Sequence, residues 1–327
     1  MNKKILCFAL SATLFALSLS AEALQEPRVP RIGYLTATTA DAHSARIEAF
    51  REGLRALGYI DGQNIYIEYR YAEGKPDRLP ELAAELVRLR VDVIIAASNV
   101  AARAASAATK TISIVMTSGG DPVATGLVAS LARPGGNVTG LTNIPADLGP
   151  KRLELLKEIV PRLTLVAVLP SPSGTARESK EMQAAAPSLQ IKLQTLEVRT
   201  ADDFKKAFEA ATKARAGALA VTSDGTGLFI ANRNLIVELA IKNRLPAIYP
   251  LGSYVSASGL MSYAPNEFEL DRRAAVFVDK ILKGRKPANL PVEQPTKFEF
   301  IINLKTAKQI GLTIPQSVLY QADKVIK

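Results

Sequence analysis

The residues best suited to chemistry in this chain are hydroxyls and carboxylates gathered where apolar runs end. Thr36, Thr38 and Thr39 follow RIGYL, Ser98 and Asn99 follow VDVIIAA, and Ser118 follows TISIVMT; later, Ser171 and Ser173 follow LVAVLP, and Ser223 and Thr226 follow ALAVT. Small hydroxyls beside the open backbone N–H groups of a helix start can cradle a carboxylate without a fixed positive charge. The same residue types cap helices and close turns, so both roles stay open. Asp41, Asp121 and Asp224 stand in the same loops with small neighbours, where each can pair with an ammonium or cap a helix. Asp224, between Ser223 and Gly225-Thr226, has the most room around it. Tyr249, Tyr254 and Tyr263 can wall a cleft or pack in partly buried structure.

Other chemistry is excluded by what is missing. No P-loop, dinucleotide glycine turn, CxxC, HExxH, GxSxG or EF-hand pattern occurs. The one histidine, His43, and the one cysteine, Cys7, cannot build a common zinc site. We therefore expect no metal, no cofactor and no catalytic residue; His43 reads as a loop residue or a ligand contact. The net charge of +10 can steer acidic partners. Its basic residues are scattered along helices and not clustered with aromatics, which argues against nucleic acid.

The elements that must position these residues alternate. Lys3 and Lys4, the apolar run Ile5 to Leu19 and Ala21-Glu22-Ala23 read as a cleaved secretory signal over residues 1–23, which implies export to the periplasm. The remainder has no cysteine, so its stability must come from its core. From RIGYLT onward the order is strand, helix, exposed strand, helix, buried strand, helix, strand, and the order repeats from RLELLKEIV. Ile47, Phe50, Leu54 and Leu57 fall on one face of the first helix, and Leu82, Leu86 and Leu89 on one face of the second. Such alternation predicts an α/β fold of two doubly wound lobes with parallel sheets.

The first lobe is expected over 28–140, completed by about 265–296, and the second over 142–262, completed by about 298–327. Hinges are expected at 140–142, 263–265 and 295–298. Within DPVATGLVASLARPGGNVTG the spacing predicts a short helix after Pro122, stopped by Arg133-Pro134-Gly135-Gly136.

Three stretches carry a resemblance: DPVATGLVASLARPGGNVTGL (121–141), RRAAVFVDKILKGRKPANLPVEQPTKF (272–298) and FEFIINLKTAKQIGLTIP (298–315). In these the chain resembles the substrate-binding proteins of ABC transporters related to the tryptophan- and tyrosine-type binding proteins. The resemblance implies a type 1 periplasmic binding protein, with two Rossmann-like lobes, three interdomain crossings, and a cleft that closes on a small polar solute. That solute would be an aromatic or branched amino acid, and the partners an ABC permease and its ATPase. The protein would be a monomer and not an enzyme. The cradle would be Thr36, Ser98, Asn99, Ser118 and Asp121 from the first lobe, and Ser171, Ser173 and Asp224 from the second. Two alternatives remain at this stage: a ligand-sensing domain for a membrane receptor, or a carboxylate-dependent enzyme.

Overall fold

The computed structural model describes residues 28–118, 120–142, 148–170, 176–223 and 227–327. The expected signal segment, and with it Ser171, Ser173, Asp224 and Thr226, lies outside these residues. Two sheets form, each covered by helices.

The first sheet is built from β1 (Arg31–Thr36), β2 (Tyr66–Tyr71), β3 (Val93–Ala96), β4 (Ser113–Met116) and β5 (Val138–Gly140), in the order β2-β1-β3-β4-β5. Every pair in it is parallel. β3 is buried at all four positions, as a strand covered on both faces must be, and its sequence is accordingly one apolar run. Three helices connect these strands: α1 (Ala40–Ala56), α2 (Leu79–Arg88) and α3 (Asn99–Ala108). Ile47, Phe50 and Leu54 of α1 are buried as their spacing predicts, but Leu57 is 38% exposed. It caps the helix, where the chain has left the helical spiral and no longer presents the inward face.

The expected helix after Pro122 does not form. The amides of Leu127 and Val128 both turn back to the Pro122 carbonyl, and the Ala129 amide reaches Pro134. Gly126, at φ 71°, breaks the ladder after a single turn. Leu127, Val128 and Leu131 still pack on the first core, which accounts for their helix-like spacing.

The second sheet follows α4 (Leu148–Ile159) and takes in β6 (Leu165–Leu169), β7 (Lys192–Thr195), β8 (Ala218–Val221), β9 (Ala247–Tyr249), β10 (Met261–Pro265), β11 (Phe298–Asn303) and β12 (Lys324–Ile326). Its order is β12-β11-β10-β9-β8-β6-β7. The helices here are α5 (Ala176–Ala185), α6 (Asp203–Lys213), α7 (Leu228–Ala231), α8 (Arg233–Lys242) and α9 (Gly252–Ser256), with α10 (Glu267–Leu282) leaving after β10. Pairing is parallel except between β10 and β11, which departs from the all-parallel expectation.

That exception has a topological cause. α10 belongs to the first core, where Leu270, Ala274, Phe277 and Val278 pack with Phe50 and Leu54 of α1. The chain must therefore come back to the second sheet, and it enters beside the point where it left, with Phe298 opposite Pro265. Such a return can only run antiparallel. The remaining crossing joins the same bundle, since Leu141 bridges Glu293 and the Thr142 amide donates to the Glu293 carbonyl at 3.0 Å.

Candidate functional site

In open parallel sheets the carboxyl ends of the strands leave helix-start amides facing a crevice. β1 delivers Thr36, Thr38 and Thr39 to that edge. Thr36 and Thr38 are 1% and 4% exposed, and their hydroxyls face each other at 3.1 Å. Thr38 Oγ1 lies 3.2 Å from His43 Nδ1, and Nε2 of the same ring lies 3.1 Å from the Tyr34 hydroxyl. His43 is thus a helical, buried residue that fixes the loop from below, not the loop residue or ligand contact its sequence position suggests. Burial, followed by the nearby charges of Arg46 and Arg233, holds its imidazole well below the usual range. Thr39 caps α1, accepting the Ala42 amide at 3.2 Å.

One strand over, Ser98 caps α3 by accepting the Ala101 amide at 3.2 Å. Beside it, Asn99 Oδ1 is buried and has no hydrogen-bond partner among the described residues. Ser118 is half-buried just past β4, and Asp121 Oδ1 accepts the amides of Val123 and Ala124, each at 3.0 Å. The capping role left open for Thr39, Ser98 and Asp121 is therefore present in all three, though Asp121 caps a turn and not a helix.

On the second lobe the tyrosines divide. Tyr249 and Tyr254 are each 1% exposed and stack at 4.9 Å within the core, so they do not wall a cleft. Burial pushes the Tyr249 phenol up. Tyr263 is half-buried and packs edge-on to Phe300.

Two buried ion pairs stand behind these edges, and in each the partners come from different elements. Arg46 of α1 holds Asp271 of α10 at 2.6 Å and donates to Thr117 Oγ1 at 3.1 Å. In the second lobe, Arg152 pairs with Glu178, which also accepts the Ser223 amide at 3.0 Å. Each pair fixes a strand end: Thr117 after β4, and Ser223 after β8.

The lobes also meet. Arg233 Nη1 donates to the Ala42 carbonyl at 3.0 Å, and a cavity of about 350 Å³ between the lobes is lined by residues that include Asp41, Arg46, Arg233, Ser253 and Glu267. Among the described residues no group of three or more His, Cys, Asp or Glu could hold a metal, and no helix is long and apolar enough to cross a membrane.

Two helix-covered sheets joined by three crossings, with strand-end segments that meet between them, define a two-lobed binding protein. The chain belongs to the ABC transporter substrate binding protein family, whose profile matches residues 31–326. It is 29% identical over 271 residues to the tyrosine-binding protein of Clostridioides difficile (strain R20291), covering 81% of this chain and 76% of that protein. It also resembles an ABC domain from Streptococcus pneumonia in complex with L-Trp. There the TM-score is 0.83 and the identity 26%, with 91% of this chain and 99% of that one covered. Against a ligand-free, open structure of a substrate binding protein with adhesive properties from Clostridium difficile, the same shares are covered at 25% identity, but the TM-score falls to 0.65. At nearly equal identity, the whole chain superimposes more closely on the L-Trp complex than on the open structure.

Proposed function

We propose that this chain is the extracytoplasmic solute-binding component of an ABC importer and that its solute is an amino acid with an aromatic side chain. Support for the class of ligand comes from the tyrosine-binding relative and the neighbour in complex with L-Trp. The observation that carries the reading to these residues is the buried Asn99 Oδ1 at the sheet edge, which has no hydrogen-bond partner among the described residues. A buried acceptor without a donor is costly, and an incoming N–H group would remove that cost.

In this reading the ligand carboxylate meets the first amides of α1 and α3, ahead of those that Thr39 and Ser98 already satisfy. Its ammonium meets Asn99, with Ser118 and Asp121 at the rim. Thr36 and Thr38 act by shaping the loop. The second lobe contributes Ser171, Ser173, Asp224 and Thr226 on closure, with Tyr263 behind them. The crossings at 140–142, 263–265 and 295–298 serve as the hinge. Residues 1–23 direct the chain to the periplasm, where it works as a monomer and hands its solute, chemically unchanged, to a permease and its ATPase. Closure favours the ligand because only the closed form engages both lobes.

Native mass spectrometry of protein purified without added ligand, followed by thermal-shift screening, tests this. The expected result is one bound small molecule and a stabilising shift with L-tryptophan or L-tyrosine, worth about 2.7 kcal/mol at a hundredfold excess over Kd. A flat response to amino acids beside a clear shift with sugars would overturn it.

A further inference from the structure

Arg233 opens α8 in the second lobe, yet its guanidinium bonds the Ala42 carbonyl in the first turn of α1, 191 residues away in sequence. Ala42 belongs to the helix that carries the Thr36–Thr39 loop, and its amide is the one that Thr39 caps. A second contact lies nearby. Gly227, at φ 87°, leads into α7, and a Cβ built there would stand 2.9 Å from the Ala37 Cβ. The strand-end loops of the two lobes thus approach to backbone distance at Ala37 and Gly227, and Arg233 reaches across beside them.

The position of this bond gives it leverage. The interlobe cavity is lined by Arg233 at one place and by Glu267, the first residue of α10 after the crossing, at another. Open space therefore separates the bond from that crossing. A hinge rotation displaces atoms in proportion to their distance from the axis, so a small opening there breaks the bond at Ala42. Hydrogen bonds that use a charged donor are stronger than neutral ones, and one lone pair of a helical carbonyl remains to accept it.

We propose that Arg233 is a positioning residue for closure: it bonds the Ala42 carbonyl when the lobes meet, releases it when they part, and so sets how long a solute stays between them. The proposal rests on the closure mechanism above.

The test measures stopped-flow dissociation of L-tyrosine and small-angle X-ray scattering for the wild-type protein, Arg233→Ala and Arg233→Lys. Arg233→Ala is expected to release ligand about tenfold faster, the equivalent of one decade in affinity, with association changed by no more than roughly twofold. Its ligand-free radius of gyration should exceed that of the wild type. Arg233→Lys keeps one charged donor and should fall between them. If Arg233→Ala lowers the unfolding midpoint while both rates stay at wild-type values, the residue is a packing element and the proposal is wrong. Should L-tyrosine fail to bind the wild type, the ligand assignment fails and scattering alone decides the latch. In that case a larger radius in Arg233→Ala supports it, and an equal radius overturns it.

Discussion

Arg152 and Glu178 form an ion pair in which both side chains are 1% exposed, and each partner holds a different part of the second lobe. Arg152 Nε donates to the Tyr263 carbonyl at 3.0 Å, in the strand before a crossing, while Glu178 Oε2 accepts the Ser223 amide at the end of β8. The pair therefore ties β10, the strand before a crossing, to the chain just past β8. Burial pushes the Glu178 carboxyl up and the Arg152 guanidinium down, and their mutual attraction opposes both shifts without cancelling them.

Removing one partner strands the other as a buried charge. Glu178→Gln is expected to lose about 3–5 kcal/mol of stability, read by chemical denaturation. The double variant Arg152→Met with Glu178→Met should lose less than the two single losses combined. A single loss below about 1 kcal/mol would match a solvated surface pair instead.

His43 makes stability depend on pH. Its imidazole is 3% exposed and, chiefly through burial, stays neutral well below the usual range, whereas the unfolded chain takes up a proton near pH 6.5. Stability should therefore fall as pH drops below about 6.5, with a slope approaching about 1.4 kcal/mol per pH unit. Glu178 and Asp271, both raised by burial, take up protons on folding and act in the opposite sense at low pH. The difference between wild type and His43→Asn isolates the histidine. Stabilities of the two proteins across a series of pH values should converge on acidification, and parallel profiles would show that His43 takes up its proton alike in the native and unfolded states.

Gly227 tests closure by steric means. Gly227→Ala puts a methyl group against Ala37 and imposes a left-handed conformation that costs about 1–2 kcal/mol in any lobe arrangement. Ligand affinity by calorimetry should fall, and Ala37→Gly in the same chain should recover part of it by removing the opposing methyl. No recovery would place the whole effect in the backbone.

Asn99 separates a structural from a binding role. Because Oδ1 has no partner among the described residues, Asn99→Ala removes an unsatisfied buried acceptor and should hold or raise stability, by up to about 1 kcal/mol. Affinity for L-tyrosine should fall about tenfold. The reverse pattern, lost stability with intact affinity, would make Asn99 a structural residue.

The strands are legible because sheets covered on both faces need unbroken apolar runs such as VDVIIAA, whereas Ser98 reads from sequence equally as a cap or a ligand contact, and the structure shows the cap. The segment after Pro122 reads as a helix because Leu127, Val128 and Leu131 keep a helical spacing, yet they pack on the core from turns. The ion pairs were hidden because the partners Arg46 and Asp271 lie 225 residues apart. One local signal for the other pair does exist: Leu148, Arg152 and Leu156 recur every four residues on one buried face, so a charge sits on an apolar stripe. Such a charge must find a partner inside the fold. Tyr249 and Tyr254 carried no comparable signal, since a tyrosine pattern reads alike for a cleft wall and for a core stack.

The most direct measurement is a crystal structure of the protein grown with L-tyrosine or L-tryptophan. The account predicts one molecule between the lobes, its carboxylate at the first turns of α1 and α3 and its ammonium within hydrogen-bond distance of Asn99. An empty interlobe space, or an amino acid bound only on the outer surface of one lobe, would contradict it.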